Sequence, residues 1–155
     1  MAKPADPYDL ALKALGYKER TEFELRSWLA ERDVEDAEIE EVIALLAEAG
    51  AVDDASFARR YADDKRLLAS WGPDRIARAL EGRGVAREHI EAALRGDDES
   101  AQLERATELL LGRGMGAGSE RERDRALSLL VRRGYPLELA YDAVRDAERR
   151  LREAA

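Results

Sequence analysis

The chain has 155 residues, with 26 basic and 34 acidic side chains for a net charge of −8, one histidine and no cysteine. A disulfide framework and any thiolate metal site or nucleophile are excluded. So is nonspecific coating of duplex DNA, because affinity for phosphate comes from clustered cations that displace counterions. Ala, Leu, Arg and Glu outweigh the β-branched residues and the four prolines fall at segment edges, so the expected fold class is all-α.

In chain order, a first helix is expected over residues 8–16. No basic segment precedes an apolar run in MAKPADPYDLALKALGY, and no later stretch approaches the roughly 20 apolar residues of a membrane helix. The expectation is a cytoplasmic protein with no membrane partner. Thr21 and Glu24 stand at capping-box spacing and open a helix over 21–32. Asp36 marks the start of 36–49, which Gly50 closes, and Asp54 the start of 54–69. Gly72-Pro73 places a proline at the first position of 73–83, where its missing N–H costs nothing, and Gly84 ends that helix. Helices over 87–95 and 99–112 follow, the second opened by Asp98. The four glycines of GRGMGAGS, residues 112–119, argue for a flexible connection. Ser119 with Glu122 opens 120–133, Gly134 closes it, and the last helix covers 136–151.

The chain repeats itself. Leu29, Leu80 and Leu130 are each followed by Arg32, Arg83 and Arg133, then Asp33, Gly84 and Gly134, then Val34, Val85 and Tyr135, with offsets of 51 and 50 residues. Each copy is three helices joined by short turns, and the Arg-Gly-apolar signature is first a folding device, its apolar residue plugging the base of a helix pair. Such units gain by stacking on a neighbour, so an elongated, curved array of three modules is expected, at 1–53, 54–96 and 97–155. Their net charges are −8, +2 and −2. Stacking within the chain favours a monomer. Helix pairs at a glycine turn also invite comparison with helix-turn-helix DNA binders, against which the overall acidity stands.

No catalytic constellation is evident. His89 is expected on the exposed side of its helix. Asp53-Asp54 and Asp97-Asp98-Glu99 suit helix starts better than a metal site, and GRGMGAGS lacks the strand and the Lys-Ser/Thr of a phosphate loop.

The ordered series Asp53-Asp54, Phe57-Ala58, Tyr61, Gly72-Pro73, Ile76, Leu80 and Gly84-Val85, with ALKALGYKERTEFELRSWL before it and ALSLLVRRGYPLELAYDAV after it, resembles the RecX family, modulators of the RecA recombinase. The resemblance covers nearly the whole chain. Two departures are Asp33, where the family commonly has glycine, and the glycine-rich linker. The resemblance implies a non-enzymatic protein, without cofactor or metal, that binds RecA filaments on single-stranded DNA. It would limit filament growth and suppress ATP hydrolysis, strand exchange and co-protease activity. Direct binding to single-stranded DNA would be weak.

A groove binder needs a limited basic surface, and the middle module supplies candidates: Arg59, Arg60, Lys65 and Arg66 on one helix, then Arg75, Arg78 and Arg83 on the next. Helical spacing puts Arg75 with Arg78 and Arg59 with Arg66 on shared strips. Tyr61 is expected in the core; Trp71, in a turn, is suited equally to packing and to stacking on a partner.

Overall fold

A computed structural model of the chain describes residues 5–116 and 118–155. Among the described residues there are nine helices and no strand: α1 (Pro7–Tyr17), α2 (Glu22–Ala30), α3 (Asp36–Glu48), α4 (Asp54–Ala69), α5 (Pro73–Gly82), α6 (Arg87–Leu94), α7 (Glu99–Gly112), α8 (Glu120–Arg132) and α9 (Leu137–Ala154). The all-α repeat architecture is as the sequence indicates. None of these helices is long and apolar enough to cross a membrane. The chain divides into two compact units, Met1–Ala58 with Leu80–Ile90 and Arg59–Ala79 with Glu91–Ala155, so that α4, α5 and α6 each contribute to both.

In the first unit, α1, α2 and α3 enclose a core of Ala11, Ala14, Leu25, Leu29, Ile39, Val42, Ile43, Leu46 and Val52. The capping box at α2 is complete: the Thr21 hydroxyl accepts from the Glu24 N–H at 3.2 Å and the Glu24 carboxylate from the Thr21 N–H at 3.0 Å. Asp33 takes the left-handed conformation, φ 61°, that glycine takes in the other copies. Both α3 and α4 start where expected, but their capping residues differ from expectation. Glu35, not Asp36, is the N-cap of α3 and makes no side-chain cap bond, while Asp36 lies in the first turn, where its charge suits the macrodipole. At α4 it is Asp53 that accepts from the Ser56 N–H, at 3.0 Å, and Asp54 reaches instead to the N–H of Glu22, at 3.1 Å.

The signature turn of the middle copy closes on itself, the Val85 N–H donating to the Leu80 carbonyl at 3.1 Å, with Gly84 at φ 77°. It then docks on the start of α2. The Thr21 hydroxyl donates to the Arg83 carbonyl at 2.7 Å, and a Cβ on Gly84 would lie 2.3 Å from that of Phe23.

The second unit repeats this joint. The Tyr135 N–H donates to the Leu130 carbonyl at 3.0 Å, and the turn meets the start of α5 through Gly72 N–H to Arg133 carbonyl, 2.8 Å, and Asp74 N–H to Gly134 carbonyl, 2.9 Å. A Cβ on Gly72 would lie 2.5 Å from the Gly134 oxygen, which is why the proline start of α5 is preceded by glycine. The core here is Ala106, Leu110, Ala126, Leu129, Leu130, Tyr135, Leu139, Ala140, Ala143, Val144 and Ala147, from α7, α8, α9 and the turn. On the middle helices and their turn Phe57, Ala58, Ala62, Ile76, Leu80, Val85, Ile90 and Ala93 are buried. Of the glycine-rich stretch 112–119, Gly112 completes α7, and the Met115 N–H donates to the Leu110 carbonyl at 2.9 Å, with Gly114 at φ 67°. Leu110, Arg113, Gly114 and Met115 are thus a further instance of the Leu-x-x-Arg-Gly-apolar turn. Ala117 lies outside the described residues.

Candidate interaction site

The segment between α4 and α5 builds the most distinctive surface of the second unit. Ser70 adopts φ 54°, in the left-handed region, which lets the Trp71 N–H return to the Lys65 carbonyl at 3.1 Å and end α4. The strain is held from outside: the Tyr135 hydroxyl donates to the Ser70 carbonyl at 2.7 Å and Arg105 Nε to the Trp71 carbonyl at 3.2 Å. The half-buried indole then lies under two cations, the Arg75 guanidinium 4.2 Å and the Lys65 ammonium 4.7 Å from its centroid. Such contacts contribute about 0.5 to 2 kcal/mol each according to exposure.

Tyr61 belongs to this cluster rather than to the core. It is half-buried, its ring edge-on to Trp71 at 6.4 Å with Lys65 at 5.4 Å, because an amphipathic ring at the margin can keep its hydroxyl near water. Phe57, Ile76, Leu80 and Val85 are buried.

The candidate cations divide sharply. Arg59, Arg60 and Arg78 are exposed, and neither Arg59 nor Arg78 makes a side-chain hydrogen bond or ion pair among the described residues. Arg75 donates from Nη1 to the Arg132 carbonyl at 3.2 Å while covering Trp71. Arg66 is turned inward: it donates to the Ala93 carbonyl at 3.0 Å and lies 3.5 Å from Asp97, a carboxylate whose side chain is only 3% exposed. Arg105 grips both oxygens of Asp97, at 2.9 and 2.8 Å. A buried carboxylate needs its countercharges, so Arg66 does not share an open strip with Arg59. Arg83, in the first unit, bridges Glu24 at 2.9 Å and lies 4.5 Å over the Phe57 ring. Partial burial opposes ionisation of Glu24, but the hydrogen bonds from Arg83 and Thr21 outweigh it and hold its pKa below the usual value.

Of the acidic pairs, Asp53 and Asp98 serve their helix starts, whereas Asp54 and Asp97 bind elsewhere. His89 is half-buried rather than on the open face. Among the described residues no three His, Cys, Asp or Glu side chains are grouped to hold a metal. The residues that sequence reasoning passed over are Ser70 and Arg105, which hold Trp71. No local signal marks either, since their partners lie far off in the chain.

Fold and site together define a helical-repeat protein whose distinctive surface is aromatic and cationic. The model of the second three-helix domain of RecX matches residues 53–94, and that of the first three-helix domain matches 8–46. Regulatory protein RecX of Mycolicibacterium vanbaalenii is 33% identical over 144 residues, covering 87% of this chain and 78% of the relative. That of Thermobifida fusca is 32% identical over 152 residues, covering 94% and 82%. The crystal structure of RecX from Lactobacillus salivarius shares the fold, with a TM-score of 0.81 over 92% of this chain and 94% of that one at 22% identity. The chain belongs to the RecX family of regulatory proteins.

Proposed function

We propose that this protein is a non-enzymatic regulator of homologous recombination and DNA repair, which binds RecA filaments on single-stranded DNA and restrains filament growth, ATP hydrolysis, strand exchange and co-protease activity. Membership of the RecX family carries this reading. It acts as a monomer of three tandem repeats, 1–53, 54–96 and 97–155, in the cytoplasm and without cofactor. The exposed guanidiniums of Arg59 and Arg78 and the Trp71 cluster support a contact through the middle repeat, and the acidic first repeat suits protein or solvent better than phosphate. A contact bridging neighbouring protomers would hold them in one arrangement and oppose the movements that ATP turnover and extension require.

The test is a titration into RecA, ATP and single-stranded DNA, with binding to bare DNA measured in parallel at the same salt. ATP hydrolysis falls as the protein is added, under conditions where bare DNA is not appreciably bound. Unchanged hydrolysis would overturn the reading. Tight, salt-sensitive binding to bare DNA with no effect on hydrolysis would favour a helix-turn-helix-like protein acting on DNA directly.

A further inference from the structure

Four arginines of the second unit, none of them in the middle repeat, converge on one groove. Arg113 caps the end of α7, and Arg121, Arg125 and Arg132 lie on α8; with Ser128 and the single acid Asp124 they line a space of about 520 Å³. All four are exposed, and none makes a side-chain hydrogen bond or ion pair among the described residues.

The neighbouring arginines behave otherwise. Arg123, between two of the four on α8, is paired with Glu148 at 2.5 Å. On α9, Arg145 is paired with Asp142, Arg149 with Asp146, and Arg150 with Glu104 at 2.6 Å. An acidic chain thus supplies carboxylates to the arginines around α9 and almost none to the groove. Helix electrostatics do not account for this. Arg132 suits the negative end of α8, but Arg121 stands in its first turn, where a cation is unfavourable, and Arg125 lies mid-helix, where the dipole gives a cation no advantage.

The spacing forms a track. At 3.6 residues per turn Arg121, Arg125 and Arg132 fall within about 40° of one another, with rises of about 6 Å and then about 10 Å along the axis. The positive field continues beyond them: burial and the nearby charges of Arg113, Arg75 and Arg132 lower the proton affinity of Arg133. Arg75, bonded to the Arg132 carbonyl, leads from this track to the half-buried rings of Trp71 and Tyr61.

We propose that Arg113, Arg121, Arg125 and Arg132 form a phosphate-binding strip that holds the backbone of single-stranded DNA, an inference that rests on the regulatory reading above and assigns its DNA contact to the third repeat. A row of guanidiniums suits successive phosphates, and aromatic rings beside it suit an unstacked base, which a single strand offers and a duplex does not.

The experiment follows fluorescence anisotropy of a labelled oligo(dT) as the full chain is added from low to moderate salt. Each phosphate contact on a single strand contributes about 0.7 to the slope of log affinity against log salt. The triple variant R121A/R125A/R132A is therefore expected to bind more weakly with a slope shallower by about 2, while R121K/R125K/R132K keeps most of it. The charge-matched variant R145A/R149A/R150A keeps the wild-type slope. Circular dichroism confirms that the helices are retained. The strip is overturned if the wild-type chain does not bind at low salt, if R121A/R125A/R132A keeps the wild-type slope, or if the charge-matched variant loses as much. A wild-type chain that binds oligo(dT) through the strip yet leaves RecA ATPase untouched refutes the regulatory reading and leaves the strip standing.

Discussion

The hydroxyl of Tyr135 donates to the carbonyl of Ser70 at 2.7 Å and accepts from Arg105 Nε at 3.1 Å, with the residue 1% exposed. One buried oxygen thereby ties the signature turn of the last repeat to the left-handed residue that ends α4. Tyr135→Phe keeps the ring and leaves both partners short of a bond, so unfolding in urea should show a loss of about 1 to 3 kcal/mol. The same variant should loosen Trp71, seen as a red shift of tryptophan emission.

Gly84 and Gly50 share φ 77°, but a Cβ on Gly84 would meet Phe23 at 2.3 Å, whereas one on Gly50 has nothing within 4 Å. Gly50→Ala should cost about 1 to 2 kcal/mol for the left-handed backbone alone. Gly84→Ala adds a clash with a Cβ that cannot turn away, for a total of about 2 to 4 kcal/mol. Equal denaturation midpoints for the two variants would contradict this account of the joint.

Asp97 is gripped by Arg105 and approached by Arg66, with its side chain 3% exposed. Asp97→Asn leaves two largely buried guanidiniums without their carboxylate, which should cost about 3 to 5 kcal/mol. Guanidinium chloride midpoints give the comparison, and a loss below 1 kcal/mol would mean that the two cations find water instead.

The Glu24–Arg83 bridge gives the joint a pH dependence. The folded-state pKa of Glu24 lies below its ordinary 4.5, so its contribution is present above that value and is lost as pH falls through the folded pKa. Stability measured from pH 7 down to 3 should decline in the acid range. Glu24→Gln should be less stable near neutrality and lose part of that decline; a variant curve parallel to the wild type would show that the bridge contributes nothing.

Arg78 is exposed and makes no side-chain hydrogen bond or ion pair among the described residues, whereas Arg75 holds Trp71 and the Arg132 carbonyl. Arg78→Glu should weaken inhibition of RecA ATPase several-fold at an unchanged thermal midpoint. Arg75→Glu should weaken inhibition and lower the midpoint together. Wild-type inhibition by both variants would move the contact away from this face.

Helix ends were written locally and could be read locally. Thr21 with Glu24, Gly72-Pro73 and the glycines at 50, 84 and 134 each act within a few residues of themselves, so their meaning survives without the rest of the fold. The turn at Gly114 carried the same Leu-x-x-Arg-Gly-apolar signal and was masked by the glycines that follow it. Glu35 displacing Asp36 at α3, and Asp53 displacing Asp54 at α4, show where such reading stops. Two adjacent acids offer the same chemistry, and only the path of the chain decides which one caps.

The all-α class, most helix boundaries to within a residue, the recurring three-helix signature and the family were legible in the residues alone, because periodicity, capping and turn chemistry are short-range. Which arginines are spent within the protein and which stand open depended on the folded arrangement. Arg66 and Arg83 resemble Arg78 in sequence. They differ because Asp97 and Glu24, distant in the chain, are brought against them, and an ion pair depends on where its partner arrives rather than on its own neighbours.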